Sequence, residues 1–226
     1  MGTTSNITAG DGNDTIYGAA GNNTINVGNG NDTIYAYDSN NTITAGTGND
    51  TIGLGDGNNS ISLTGSTGTD HISLGDGNNT LNLGLGHNTA VSLTGTGGTE
   101  NISMTGGNLY VDLSSTTGGT TVNVSHPTDA AGAETFYMDF AGHGVDSISG
   151  AAHGTNWTNT MDFSGHTTVN TSLYIEDGTG NGHSVAANAH GTLTLTGTAA
   201  ESGTVYTDAT KQHELAHFEN MDKFIY

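Results

Sequence analysis

Apolar residues in the first half of the chain come in pairs two positions apart, and the pairs recur every nine residues. Ile16, Ile25, Ile34, Ile43, Ile52 and Ile61 open such pairs, and Val27, Ala36, Ala45, Leu54 and Leu63 close them. This alternation marks a strand with one face turned inward. The same inner face takes in Ile72, Leu74, Leu81, Leu83, Ile102 and Met104, while Thr15, Thr24, Thr33, Thr42 and Thr51 fall on the outer face. A nine-residue unit is too small to bury its apolar face alone, so the period predicts a solenoid in which stacking supplies the core. Glycines between the strands provide turns that need positive φ.

Two units make one coil of 18 residues, with two parallel sheets back to back and a column of turns along each side. The residue that closes each turn then alternates between sides. Asp14, Asp32, Asp50 and Asp70 fall on one column, and Asn23, Asn41, Asn59 and Asn79 on the other. Successive turns stack about 4.8 Å apart, close enough for like charges to repel by several kcal/mol at the surface of a protein. A cation between them reverses that sign. Calcium takes oxygen ligands, and each gap offers carboxylates together with the carbonyls of Gly10, Gly12, Gly28, Gly30, Gly46 and Gly48. The expected pairs are Asp14 with Asp32, Asp32 with Asp50, and Asp50 with Asp70. Neutral Asn amides form a ladder without an ion, so calcium is expected on one side only. Asp11, Asp38, Asp56 and Asp76, between turn glycines, read as solvated acids with no column rule.

The phrases "GDGNDTIY", "GNGNDTIY" and "GTGNDTIG" resemble the calcium-binding nonapeptide of RTX proteins, and the similarity extends over roughly residues 9–104. The resemblance implies a parallel β-roll that is disordered without calcium and folds on binding it, after export through a type I secretion channel.

Beyond "GGNLYVDL" the nine-residue beat fades, but alternating stretches such as "TTVNV", "TFYMDF" and "GTLTLTG" persist between turns. The expected fold is therefore all-β, a parallel β-roll or β-solenoid over 1–106, followed by an irregular β-rich region over 107–210. Residues 211–226 form a last segment, and "HFENMDKFIY" resembles an uncleaved type I secretion signal. His143, His153, His166, His183 and His190 lack ligand spacing and read as turn residues. His213, Glu214 and His217 match H-E-x-x-H, which binds zinc when both histidines share a helical face. The flanking residues offer no well-spaced third ligand, and an incidental terminal segment is the preferred reading.

Charge narrows the partners. The 226 residues carry 22 acids against two lysines, Lys211 and Lys223, with no arginine and no cysteine. Nucleic acid and anionic membranes attract basic clusters, which this chain lacks; no apolar run is long enough to insert into a membrane. Calcium is the expected cofactor. The expected function is a non-enzymatic, secreted structural protein that assembles with copies of itself outside the cell, in a surface layer, filament or biofilm matrix. Cell-surface polysaccharide is a second candidate partner. An adhesive or ice-binding module, presenting ranks such as Asn13, Asn31 and Asn49, is the alternative.

Overall fold

The computed structural model describes residues 4–63, 68–84, 87–95, 97–116, 119–126, 132–137, 146–150, 157–162, 173–177, 182–185, 192–194, 201–206, 211 and 214–225. Among these the regular structure is all strand. The repeat region contains β1 (Ser5–Thr8), β2 (Thr15–Tyr17), β3 (Asn23–Asn26), β4 (Thr33–Ala36), β5 (Thr42–Thr44), β6 (Thr51–Leu54), β7 (Ser60–Leu63), β8 (Thr69–Leu74) and β9 (Gly77–Leu83). Longer strands follow: β10 (His87–Gly95), β11 (Gly98–Met104), β12 (Gly107–Thr116), β13 (Thr121–Ser125), β14 (Gly132–Tyr137), β15 (Asp146–Ser149) and β16 (Trp157–Asp162). The last are β17 (Leu173–Asp177), β18 (Gly182–Val185), β19 (Thr192–Thr194), β20 (Glu201–Tyr206), β21 (Glu214–Met221) and β22 (Lys223–Ile225). No helix among the described residues is long and apolar enough to cross a membrane.

Odd-numbered strands from β1 to β15 stack in parallel in one sheet and even-numbered strands from β2 to β16 in the other, giving a β-solenoid. The register repeats the sequence period. Ile16 pairs with Ile34, Ile34 with Ile52 and Ile52 with Ile72 in one sheet; Ile25, Ile43, Ile61 and Leu81 follow one another in the other. These side chains meet between the sheets and, Ile16 apart, are almost wholly buried. Burying each contributes about 1.5–3 kcal/mol, and every coil adds two such pairs. Threonines on the outer face stay exposed or half-exposed.

The parallel stack runs on past residue 106, with β12, β14 and β16 continuing one sheet and β13 and β15 the other. Strands β21 and β22 still pair in parallel, with β15 and β16, and antiparallel strands lie beyond them, in the order β20, β17, β18 in one sheet and β19 in the other. The C-terminal segment is thus built into both sheets: Phe218 and Phe224 are buried and meet edge to face, centroids 4.9 Å apart. At the opposite end β1 and β2 are the outermost strands, and Ile7 and Ile16 are only partly covered.

Candidate metal centre

Each turn-closing residue sits at or beside the start of a repeat strand and is turned inward. Asp32, Asp50 and Asp70 are at most 1 % exposed, as are Asn23, Asn41 and Asn79; Asp14, in the first full coil, is half-buried. Both columns use one atom identically. The backbone N–H of Asp14 donates to Asp32 Oδ1 (2.8 Å), that of Asp32 to Asp50 Oδ1 (2.9 Å) and that of Asp50 to Asp70 Oδ1 (2.8 Å). On the other side the N–H of Asn23 donates to Asn41 Oδ1, that of Asn41 to Asn59 Oδ1 and that of Asn59 to Asn79 Oδ1, at 3.0–3.1 Å.

The second side-chain atom separates the columns. Asn23 Nδ2 donates to the carbonyls of Ala19 and Gly21 at 2.8 and 2.7 Å, four and two residues earlier in its own turn. Asn41 repeats this with Tyr37 and Ser39, and Asn59 with Gly55 and Gly57. The amide of each of these three also reaches the next Asn Oδ1. In the Asp column the same offsets fall on Gly10 and Gly12 for Asp14, Gly28 and Gly30 for Asp32, and Gly46 and Gly48 for Asp50. Since Oδ1 makes the shared bond, Oδ2 occupies the amide's place and brings an acceptor to acceptors. Oδ2 of Asp14 and of Asp32 is sealed from solvent and has no hydrogen-bond partner. An unmatched buried acceptor costs about 1–3 kcal/mol, more when charged.

A hard cation fits this donor set. It would meet carboxylate and carbonyl oxygens only, the ligands calcium takes, and no lysine or arginine occurs before Lys211 to serve instead. The turn glycines are part of the fit. Gly12, Gly30 and Gly48 have φ of 126°, 144° and 144°, and a Cβ on Gly30 or Gly48 would collide with the carbonyl of Gly12 or Gly30 in the preceding coil. The glycine turns therefore bring carbonyl oxygens to close range along the column.

A family model, the RTX calcium-binding nonapeptide repeat (4 copies), matches residues 4–34, 27–61 and 62–90. Residues 4–90 are RTX repeats. No curated protein and no solved structure matches the chain. RTX nonapeptide repeats are calcium-binding motifs, so calcium is the cofactor of this region. The four aspartates form one column, and the six glycines lie at the carbonyl offsets that the Asn column satisfies with its amides.

Three features escaped sequence reading. Asp38, Asp56 and Asp76 do follow a column rule: the N–H of Asp56 donates to Asp38 Oδ1 (3.0 Å), that of Asp76 to Asp56 Oδ1 (2.8 Å) and that of Gly97 to Asp76 Oδ1 (3.1 Å). They line the outside of the Asn turns, visible in sequence only once odd and even units are assigned to sides. Secondly, Glu100 succeeds Asn79 in the inward Asn column. Its Oε1 accepts from Asn79 Nδ2 at 3.1 Å. Burial, with the charge of Asp76 adding to it, raises its pKa to about 7. Thirdly, after Thr89 and Leu109 the Asp column becomes polar again at Glu134 and Asn159. There the N–H of Asn159 donates to Asp222 Oδ2 (2.7 Å), and Glu134 Oε1 lies 3.8 Å from His126 Nε2. Coil lengths beyond 18 residues hide that return.

Glu214 and His217 lie on strand β21, so the helical face that H-E-x-x-H requires is not formed there. Glu214 Oε2 instead approaches His217 Nε2 at 3.3 Å, with both side chains substantially exposed. His143, His153, His166, His190 and His213, and the side chain of His183, lie outside the described residues. The outer Asn ranks hold the coils together: the N–H of Asn31 donates to Asn13 Oδ1 (2.8 Å) and that of Asn49 to Asn31 Oδ1 (2.9 Å). Among the described residues no group of three or more His, Cys, Asp or Glu side chains forms a metal cluster, so any ion here depends on backbone carbonyls as well.

Proposed function

We propose that this is a secreted structural protein whose RTX region folds on calcium outside the cell, after which subunits join end to end in a surface layer, filament or biofilm matrix. The ligands are the carboxylates of Asp14, Asp32, Asp50 and Asp70 with the carbonyls of Gly10, Gly12, Gly28, Gly30, Gly46 and Gly48, and ions bind along this column alone. One observation carries the reading: the buried Oδ2 of Asp14 and of Asp32 has no hydrogen-bond partner, where the matching Asn amide donates to two or more acceptors. When bound, calcium supplies the positive charge and the oxygen coordination that the column lacks.

The physical logic also accounts for export. In a low-calcium cytosol the carboxylate row opposes folding and the chain stays extended; outside, binding to the folded state alone pulls folding forward by mass action. Assembly is supported by the end of the described stack at β1 and β2, where Ile7 and Ile16 are incompletely covered. Parallel edges of this kind template further strands, and a head-to-tail contact continues into a filament.

Circular dichroism and sedimentation velocity on one sample, taken from chelator to millimolar calcium, test both parts. β-Structure and large species should appear together as calcium rises. Full β-structure in chelator would overturn the folding claim; a folded monomer at millimolar calcium would overturn assembly and leave folding intact.

A further inference from the structure

The outer face of the even-numbered sheet holds a trough. One outward row runs Tyr17, Tyr35, Gly53, Ser73, Ser92, Asp112 and Tyr137 across successive strands. The neighbouring row runs Thr33, Thr51, His71, Ala90 and Tyr110. Bulky aromatic residues thus stand at both ends with small residues between them. Tyr35 and Tyr110 form the end walls, four strand spacings or about 19 Å apart, and the open trough between them has a volume of about 270 Å³.

Both walls are braced. Tyr35 stacks on Tyr17 with centroids 5.8 Å apart, and Tyr110 on Tyr137 at 6.1 Å. Tyr35 also leans over the trough: a Cβ on Gly53 would lie 2.7 Å from its Cδ1. The half-exposed rings stand over a floor that presents the hydroxyls of Thr51, Ser73 and Ser92, the His71 imidazole and the Asp112 carboxylate. Burial first, and the nearby Asp112 charge second, push the Tyr110 phenol up to about 12, so it remains a neutral donor.

The geometry points to a binding site for a neutral glycan chain, with sugar rings stacked on Tyr35 and Tyr110 and their hydroxyls on the floor between. A pyranose carries C–H groups on its faces and hydroxyls on its rim, which matches aromatic walls around a hydroxyl-bearing floor. Charge selects against the alternatives. The chain has net charge −20 and both of its lysines lie at 211 and 223, so nucleic acid, uronate polymers and anionic lipid are repelled. A peptide adding as a strand needs a free sheet edge, whereas floor strands β6, β8 and β10 are paired on both sides. This site needs the folded roll and is independent of what folds it.

The test is calorimetric titration of the full chain in millimolar calcium, with folding checked by circular dichroism. Probes are hexasaccharides of β-1,4-glucose, β-1,3-glucose, α-1,4-glucose and α-mannose, with a uronate hexamer as control. At least one neutral hexamer should bind and the uronate should not. Tyr110→Ala, which removes a wall, and Ser73→Tyr, which fills the trough without touching the core, should each weaken binding about tenfold or more. Absence of binding to every neutral probe overturns the inference, as does binding that both variants retain. A change in sedimentation caused by Ser73→Tyr would also overturn it, assigning the face to a second copy of the chain.

Discussion

Replacing Asp14, Asp32, Asp50 and Asp70 together with Asn should free the roll from calcium rather than destroy it. The columns differ at one atom per coil, and Oδ1 keeps its bond to the preceding coil in either residue. Unit charges about 4.8 Å apart at an effective dielectric of about 20 repel by about 3.5 kcal/mol. Three adjacent pairs reach about 10 kcal/mol, comparable to the whole stability of an ordinary domain. The substitution removes that repulsion and gives each buried Oδ2 position an amide facing the carbonyls at Gly10, Gly12, Gly28, Gly30, Gly46 and Gly48, as Asn23 already faces Ala19 and Gly21. Circular dichroism in chelator is the assay. The wild-type chain should be largely unfolded and the fourfold variant largely β, with a thermal midpoint that calcium barely moves. A variant that is unfolded in chelator and folds at the wild-type calcium midpoint would refute the reasoning, because the amide would then not replace the ion.

Two further predictions rest on single residues. Glu100 has a folded-state pKa raised to about 7 from 4.5, so the folded chain holds its proton more tightly than the unfolded one, and stability falls as pH rises from about 4.5 to about 7. At saturating calcium and pH 8, Glu100→Gln should stabilise on the order of 3 kcal/mol and flatten that part of the profile; an unchanged urea midpoint at pH 8 would remove the premise. Gly48 combines φ of 144° with a Cβ path blocked by the Gly30 carbonyl, whereas a Cβ on Gly10 meets nothing within 4 Å. Gly48→Ala should therefore cost about 1–3 kcal/mol and raise the calcium midpoint for folding, while Gly10→Ala leaves it near wild type; equal effects would show that turn geometry does not set the midpoint.

Periodicity made the roll legible. Spacing by nine, apolar pairs two apart and the alternation of Asp14, Asn23, Asp32 and Asn41 follow from local repetition, and in a stack each residue meets its own equivalent one coil away. Long-range contacts in such a fold are copies of a short-range rule. That is why the inner face, the 18-residue coil and the two columns can be read from the chain alone. Where the period breaks, the rule stops. Nothing local pairs Asn159 with Asp222, 63 residues apart, or puts His126 beside Glu134, or sets Glu214 and His217 on a strand rather than a helix. Those arrangements depend on how coils of unequal length pack at the far end. Side-chain chemistry lay between the two cases: the sequence showed that Asp and Asn alternate, but the reason an amide closes its turn and a carboxylate leaves an oxygen unmatched is the pair of carbonyls above each of them. Hydrogen-bond satisfaction is decided by atoms brought together across the fold, so only the tertiary structure could show why the two columns, already separate in sequence, differ in what their second side-chain atom meets.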